Sequence, residues 1–437
     1  MLNYALVRPA VQRSDLTALT PYLLTLMLRN VASDGFAFTD PADPRRFSAP
    51  GCIIASPSFA GDQAAVTQDY VYNWTRDAAV TAAEIAYARL PAGDAGGTGP
   101  LDDYVSFAST CQQNAPGLDT ACYTIQGQPR AGWSLQNDGP ALQALAIFQA
   151  FAQLSPAAQD TARAVAGRDL QFVADRYQTP NTNLWEEVAG QSFFTRAVQL
   201  RCLTQAQGNA LGIPVPAGAG EAIGWLQAAL AGHWNGQYYT SVLDAQNPRA
   251  GYDPNIDIVM ASVYGAVDCT DPQLLATAAL LRQQWADPGS ASRYPINAAD
   301  AAQGLGPVLG RYPGDSYDGD QNAPAQGHPW ALATANFAEL YYRVAARVQQ
   351  TGQVPASPLA AAYLGQAGVG AGTAPGDAAT SLRAAGDQML QAIVYHSDHL
   401  ELSEQFDAET GYEKSVRNLT WSYAAFLSAL RARAAVA

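Results

Sequence analysis

Apolar residues recur at helical spacing in twelve separate stretches of this chain, and no series of alternating runs is long enough to build a sheet. Leu16, Leu19, Leu23, Leu24 and Met27 mark the first stretch, over 16–32. Residues 77–90 follow, with Asp77 in an acidic first turn and Pro91 just beyond the end. The others lie near 101–113, 138–154, 158–177, 191–208, 219–231, 255–268, 271–286, 329–349, 377–397 and 418–434. Several open on a proline or an acidic cap, as at Asp138-Gly139-Pro140, Asp271-Pro272 and His328-Pro329. Long polar loops bearing aromatics, at 112–135, 178–190 and 288–328, alternate with short ones. Short period-2 runs such as 238–242 read as small hairpins. No repeat of 20–50 residues is visible, which argues against a solenoid. The pattern predicts one large all-α domain over 1–437 in place of the three that length alone suggests at about 150 residues each.

Composition narrows the partners. Apolar residues are 48% of the chain, enough for a large core, and charged ones only 14%. The net charge is −14 and Lys414 is the only lysine. Phosphate backbones and anionic lipids need clustered cations, so nucleic acid and membrane surfaces are poor partners. An acidic, tyrosine-rich surface suits a neutral ligand rich in hydroxyls. No window reaches 18 uninterrupted apolar residues, and residues 1–15 lack the layout of a signal peptide, which leaves the compartment open: secreted or periplasmic if a leader was removed, otherwise cytoplasmic. Five scattered cysteines form neither a disulfide framework nor a zinc pattern, although Cys111 and Cys122 are near enough in sequence to bridge a loop. Residues 351–376 read as a flexible connection. The glycines at 368, 370 and 372 lack the strand that a nucleotide fingerprint requires.

Four patches could carry chemistry. In Tyr70-Val71-Tyr72-Asn73-Trp74-Thr75-Arg76-Asp77, Asp77 is either a helix cap salt-bridged to Arg76 or a carboxylate for adjacent sugar hydroxyls, with the aromatics as an apolar wall. In Trp185-Glu186-Glu187-Val188, adjacent glutamates suit a solvated helix face. Their apolar neighbours would instead desolvate a carboxyl, as a general acid working near neutrality requires. Gly310-Arg311-Tyr312-Pro313-Gly314-Asp315-Ser316-Tyr317 is a turn-rich loop. Leu402-Ser403-Glu404-Gln405 sets a carboxylate where it could hold a water or cap a neighbouring element. Metals and cofactors are not expected. His396 and His399 have no third ligand nearby, and the calcium-like run from Asp318 has Ala323 where the sharp-turn glycine belongs.

Taken in order, these patches resemble the catalytic domain of glucoamylases, glycoside hydrolase family 15. The resemblance rests on Ala55-Ser56-Pro57-Ser58, Tyr72-Asn73-Trp74-Thr75-Arg76-Asp77, Gln136-Asn137-Asp138-Gly139-Pro140, Leu184-Trp185-Glu186-Glu187-Val188, Gly310-Arg311-Tyr312-Pro313, Pro329-Trp330, Leu402-Ser403-Glu404-Gln405 and Leu419-Thr420-Trp421-Ser422-Tyr423. It implies an (α/α)6 barrel, six inner helices ringed by six outer ones, with the site at one end. It also implies an exo-acting, inverting hydrolase that releases β-glucose from non-reducing ends of α-1,4, and by extension α-1,6, glucans or oligosaccharides. By motif, Glu186 would be the general acid and Glu404 the general base. Arg76, Asp77 and Arg311 would hold the terminal sugar, Tyr70, Trp133, Trp185, Trp330 and Trp421 would line the pocket, and Glu187 would contact the next sugar.

Some positions depart from that pattern. Asn183 stands where Asp is common, the Trp-x-Arg-Pro-Gln stretch reads Trp133-Ser134-Leu135-Gln136, Gly314 replaces a frequent Glu, and 318–327 resemble an insertion. These departures are expected to fall beyond the terminal sugar and to bear on linkage. Glucodextranase, isomaltose hydrolase or trehalase activity would use the same carboxyls. A phosphorylase would replace the base, and a non-catalytic carbohydrate-binding or regulatory relative would lose one of the two. A monomer without a starch-binding module, acting on short soluble substrates, is the expectation. The sequons at Asn73 and Asn418 mildly favour a source that does not glycosylate, because a glycan at Asn73 would obstruct the site.

Overall fold

The computed structural model describes residues 13–58, 69–90, 99–319 and 327–437. Among them are fourteen α-helices: α1 (Thr20–Leu28), α2 (Thr75–Ala88), α3 (Pro100–Asn114), α4 (Asp138–Ala150), α5 (Pro156–Arg176), α6 (Phe193–Gln207), α7 (Ala219–Ala231), α8 (Asp257–Val263), α9 (Pro272–Ala286), α10 (Ile296–Ala302), α11 (Ala331–Thr351), α12 (Ala361–Gln366), α13 (Pro375–His396) and α14 (Thr420–Ala434). Each of the twelve expected segments holds one. Of the start signals read, Asp271 acts as a cap, accepting from the amides of Gln273 and Leu274 to start α9; Asp138 is instead the first residue of α4, after Asn137, and Pro329 lies before α11, which starts at Ala331. Prolines that were not singled out open α3, α5 and α13. Pro91, the stop read beyond α2, lies outside the described residues.

Helices α2, α4, α6, α8, α11 and α14 pack in a closed ring, each against the next and α14 back against α2. Around it, α1, α3, α5, α7, α9 and α13 pack on the outside, giving an (α/α)6 barrel. Burial separates the layers. Eleven of the thirteen residues of α4 are buried, against six of twenty-one in α5. A helix apolar on every side can only be interior, whereas a striped one covers it. Because each outer helix returns the chain, all six inner helices begin at the same end of the barrel.

Two stretches differ from the sequence reading. The expected loop 288–328 contains α10. The expected flexible connection 351–376 contains α12 and is anchored by Tyr363, fully buried and stacked on Tyr341 with ring centres 4.8 Å apart. Its glycine-rich composition hides one aromatic anchor. The strands are short and antiparallel, and Val242–Leu243 forms one edge of a three-stranded sheet, beside Ala189–Ser192. All five cysteines are free thiols, so Cys111 and Cys122 are not bridged. No described helix is long and apolar enough to cross a membrane.

Candidate active site

The loops that enter the inner helices meet in a cavity of about 480 Å3, within the ~300–1,000 Å3 usual for small-molecule sites. Trp74 is the residue before α2, Asp138 opens α4, Trp330 precedes α11, and Trp421 lies in the first turn of α14. The N-termini of α2, α11 and α14 thus line the space directly, a field that favours carboxylates. All eleven predicted site residues line it: Tyr70, Arg76, Asp77, Trp133, Trp185, Glu186, Glu187, Arg311, Trp330, Glu404 and Trp421. The cavity is closed at one end, where Arg76, Asp77, Arg311, Trp330 and Trp421 are all buried. Tyr70, Asp69, Arg130 and Trp133 are only half-buried and form the open end.

Glu186 sits on a tight turn with φ of +64°, a conformation that a non-glycine residue adopts only when its surroundings hold it there. Its Oε1 accepts from the Trp74 indole N–H at 2.8 Å and the Gln136 amide at 2.9 Å, and an Arg76 nitrogen lies 3.8 Å away. Apolar enclosure, as read from the flanking residues, is not what surrounds it. The side chain is 23% exposed to the cavity, and its immediate neighbours are polar donors.

Glu404 is more enclosed. It is 3% exposed, with Tyr70 O–H donating to Oε1 at 3.0 Å and Tyr317 O–H to Oε2 at 3.1 Å. Ser415 O–H donates to Oε2 at 2.5 Å. Burial raises its pKa above the ordinary glutamate value, against the pull of Ser415, Tyr70, the Arg311 charge and Tyr317. Each carboxyl is held by one member of a packed pair of rings, Trp74 donating to Glu186 and Tyr70 to Glu404, with ring centres 5.5 Å apart.

At the closed end, Arg76 donates to Gln136 and, at 3.1 Å, to Asp138, and it lies 5.1 Å from the Trp421 ring centre. Asp77 is in the first turn of α2, not at its cap, and its Oδ2 is 3.6 Å from Arg76 Nε. Burial pushes its pKa up to about 7, opposed by Arg76 and reinforced by the charges of Glu186 and Asp138. Both Asp77 Oδ2 and Arg76 Nε are buried with no hydrogen-bond partner, which is costly unless a polar ligand supplies one. Opposite, Arg311 grips Asp315 with two bonds, at 2.8 and 2.7 Å, and donates to Glu187 at 3.0 Å. Arg249 and Tyr312 also donate to Glu187. Trp185 is fixed by its indole N–H on Asn255 at 3.0 Å.

Sequence reasoning missed Ser415, Asp69 and Arg130, and it quoted Tyr317 and Gln136 within recognised patches without giving them a role. Nothing in the local pattern of Tyr317 or Ser415 distinguishes a donor to Glu404 from an ordinary loop hydroxyl. Two of the departures do not touch the cavity. Asn183 is fully buried, accepts from the amides of Glu187 and Val188 and donates to Tyr252 O–H, so it shapes the turn that presents the glutamates. Gly314 packs so closely on the 250–251 backbone that a Cβ there would lie 2.2 Å from the Ala250 carbonyl, so a Glu cannot occupy the position in this loop. Residues 320–326, which hold most of the calcium-like run, lie outside the described residues. No metal-binding cluster is present among those described. Asn73 of the first sequon is buried and donates to the Ile53 carbonyl.

A family model for glycosyl hydrolases family 15 matches residues 23–431. The chain belongs to that family. It is therefore a glucoamylase-like glycoside hydrolase. Glucoamylase 1 of Rhizopus oryzae is 30% identical over 93% of this chain and 69% of its own length. The structure of a family 15 glucoamylase from Hypocrea jecorina superposes with a TM-score of 0.78 at 27% identity, covering 96% of this chain and 72% of that one. A Saccharomycopsis fibuligera glucoamylase structure gives 0.77 at 25% identity, covering 98% and 97%.

Proposed function

We propose that the protein is an exo-acting, inverting α-glucoside hydrolase that frees β-D-glucose from non-reducing ends of α-1,4-linked glucans or oligosaccharides. The observation that carries the reading is one closed-ended cavity holding two separated carboxyls with different partners. Glu404 accepts three hydroxyls, while Glu186 is anchored through one oxygen to two N–H donors. A closed end admits only a chain terminus, which makes the enzyme exo-acting. Relatives called glucoamylases, similar over nearly the whole chain, support the substrate class.

In this mechanism Glu186 is protonated and passes its proton to the glycosidic oxygen as the bond from C1 to that oxygen breaks. Ionised Glu404 takes a proton from a water on the opposite face, and the water oxygen bonds to C1 with inversion. Room for that water calls for a carboxyl separation of ~6.5–9.5 Å. Arg76, Asp77 and Arg311 hold hydroxyls of the terminal glucose, the unpartnered Asp77 Oδ2 and Arg76 Nε being the open positions. Tyr70, Trp133, Trp185, Trp330 and Trp421 line the pocket, and Glu187 contacts the next sugar. The enzyme acts as a monomer on oligo- or polysaccharide, without a cofactor.

Glucose release from maltose, isomaltose and trehalose, each with and without phosphate, tests the reading. Maltose should be cleaved fastest, with no dependence on phosphate. Faster cleavage of isomaltose or trehalose would overturn the linkage, and a requirement for phosphate would overturn hydrolysis.

A further inference from the structure

The open end of the cavity carries a cation that no motif accounts for. Arg130 lines the wall, with its guanidinium carbon 3.9 Å from the Trp133 ring centre and 4.0 Å from that of Tyr72. The two rings clamp the guanidinium plane and fix its direction. A guanidinium offers five N–H donors. The protein acceptors given to this one among the described residues are the Asp69 carbonyl, at a long 3.4 Å, and the Cys122 thiol. An immobilised donor with most of its capacity unspent, at the edge of a substrate cavity, is built to meet acceptors that arrive from outside.

We infer that Arg130 is a specificity-determining residue that donates to hydroxyl or ring oxygens of the sugars beyond the terminal glucose. The inference rests on the exo-glucosidase reading above, because a chain end seated among Arg76, Asp77 and Trp421 must leave past Trp74, Trp133 and Arg130. Trp74 carries the N–H that holds Glu186, and Trp133 packs on Trp74 at 5.4 Å. The order along the wall is therefore reacting bond, Trp133, Arg130.

The test compares the unmodified enzyme with Arg130→Met, which fills the space between the rings without donors, and with Arg130→Lys, which keeps the charge. Each is assayed on maltose, maltotriose and α-D-glucosyl fluoride, which has no second sugar. Charged hydrogen bonds of this kind are worth about 10-fold to 100-fold in discrimination. Arg130→Met should raise KM for maltotriose about 10-fold or more, with a far smaller effect on kcat and on the fluoride, and Arg130→Lys should fall between. Equal losses on all three substrates, or none on maltotriose, would overturn the inference. If the unmodified enzyme cleaves none of them, the exo-glucosidase reading fails by itself. Calorimetric titration with maltotriose and with glucose then decides the role of Arg130: weaker binding of maltotriose alone by Arg130→Met supports it, and unchanged binding refutes it.

Discussion

Removing the Ser415 hydroxyl isolates how the protein sets the working pH of Glu404. In the native site three hydroxyls stabilise the ionised carboxylate, and burial works against them by favouring the neutral form. Ser415 makes the shortest of the three contacts. A hydrogen bond to a charged group is worth about 1.5–3 kcal/mol, and one pKa unit corresponds to about 1.4 kcal/mol. Ser415→Ala should therefore raise the Glu404 pKa by about one to two units. The sign follows from its role. A general base must be ionised, so activity disappears as pH falls through its pKa, and a raised pKa moves the acid limb of kcat/KM to higher pH. Below that limb the variant should lose about 10-fold per unit of displacement. The profile is read with maltose across pH 3–8, with circular dichroism at each end to exclude unfolding. An acid limb that stays put, or moves to lower pH, would refute both the hydrogen-bond argument and Glu404 as the base.

Other outcomes follow from the same geometry. Glu186→Gln and Glu404→Gln should each lower kcat by ~10²–10⁴ or more with an unchanged circular dichroism spectrum, and near-full activity in either would remove that residue from its role. Asp77 has a native pKa of about 7, well above the ~3.9 of an unfolded chain. Its native state is therefore favoured at low pH and loses that advantage as pH rises toward 7. Asp77→Asn should accordingly gain unfolding temperature relative to the unmodified protein between pH 4 and 7, as read by calorimetry. Lys414 is paired at 3.0 Å with buried Asp318. Lys414→Met should lower stability by taking a cation away from a buried carboxylate that His328 also approaches, at 3.4 Å, and Asp318→Asn in the same chain should recover part of the loss in denaturant titration. Gly314→Glu should also lower stability in the same assay, because its Cβ meets the Ala250 carbonyl.

Much of the fold was legible because the barrel is local in sequence. Periodicity placed a helix in each of the twelve expected segments, and caps such as Asp271 sit at their ends. What periodicity does not encode is which helices are interior: that emerges only from the all-round burial of α4 and α8 and the one-sided burial of α5. The α12 segment was missed because one buried tyrosine among glycines and alanines carries no period. At the site, all eleven residues named from the motifs line the cavity, because each is a side chain of distinctive type in a distinctive run. The supporting donors were invisible for the opposite reason. Ser415 and Tyr317 reach Glu404 across 11 and 87 residues of chain, and a serine at such a distance leaves no pattern. The expectation for Glu186 failed because its sequence neighbours are not its spatial ones: Trp74 and Gln136 come from other loops. Asn183 and Gly314 looked like changes in the substrate contacts and prove to shape the turn and the loop behind them.

The central claim is direct displacement by a water that Glu404 activates, with Glu186 as the acid. The measurement closest to it is the anomeric proton spectrum in the first minutes of maltose hydrolysis, before the sugars equilibrate. The account predicts that glucose from the non-reducing end appears first as the β-anomer and only later as α. α-Glucose appearing first, or glucose 1-phosphate (β by direct displacement) formed in phosphate buffer, would contradict it.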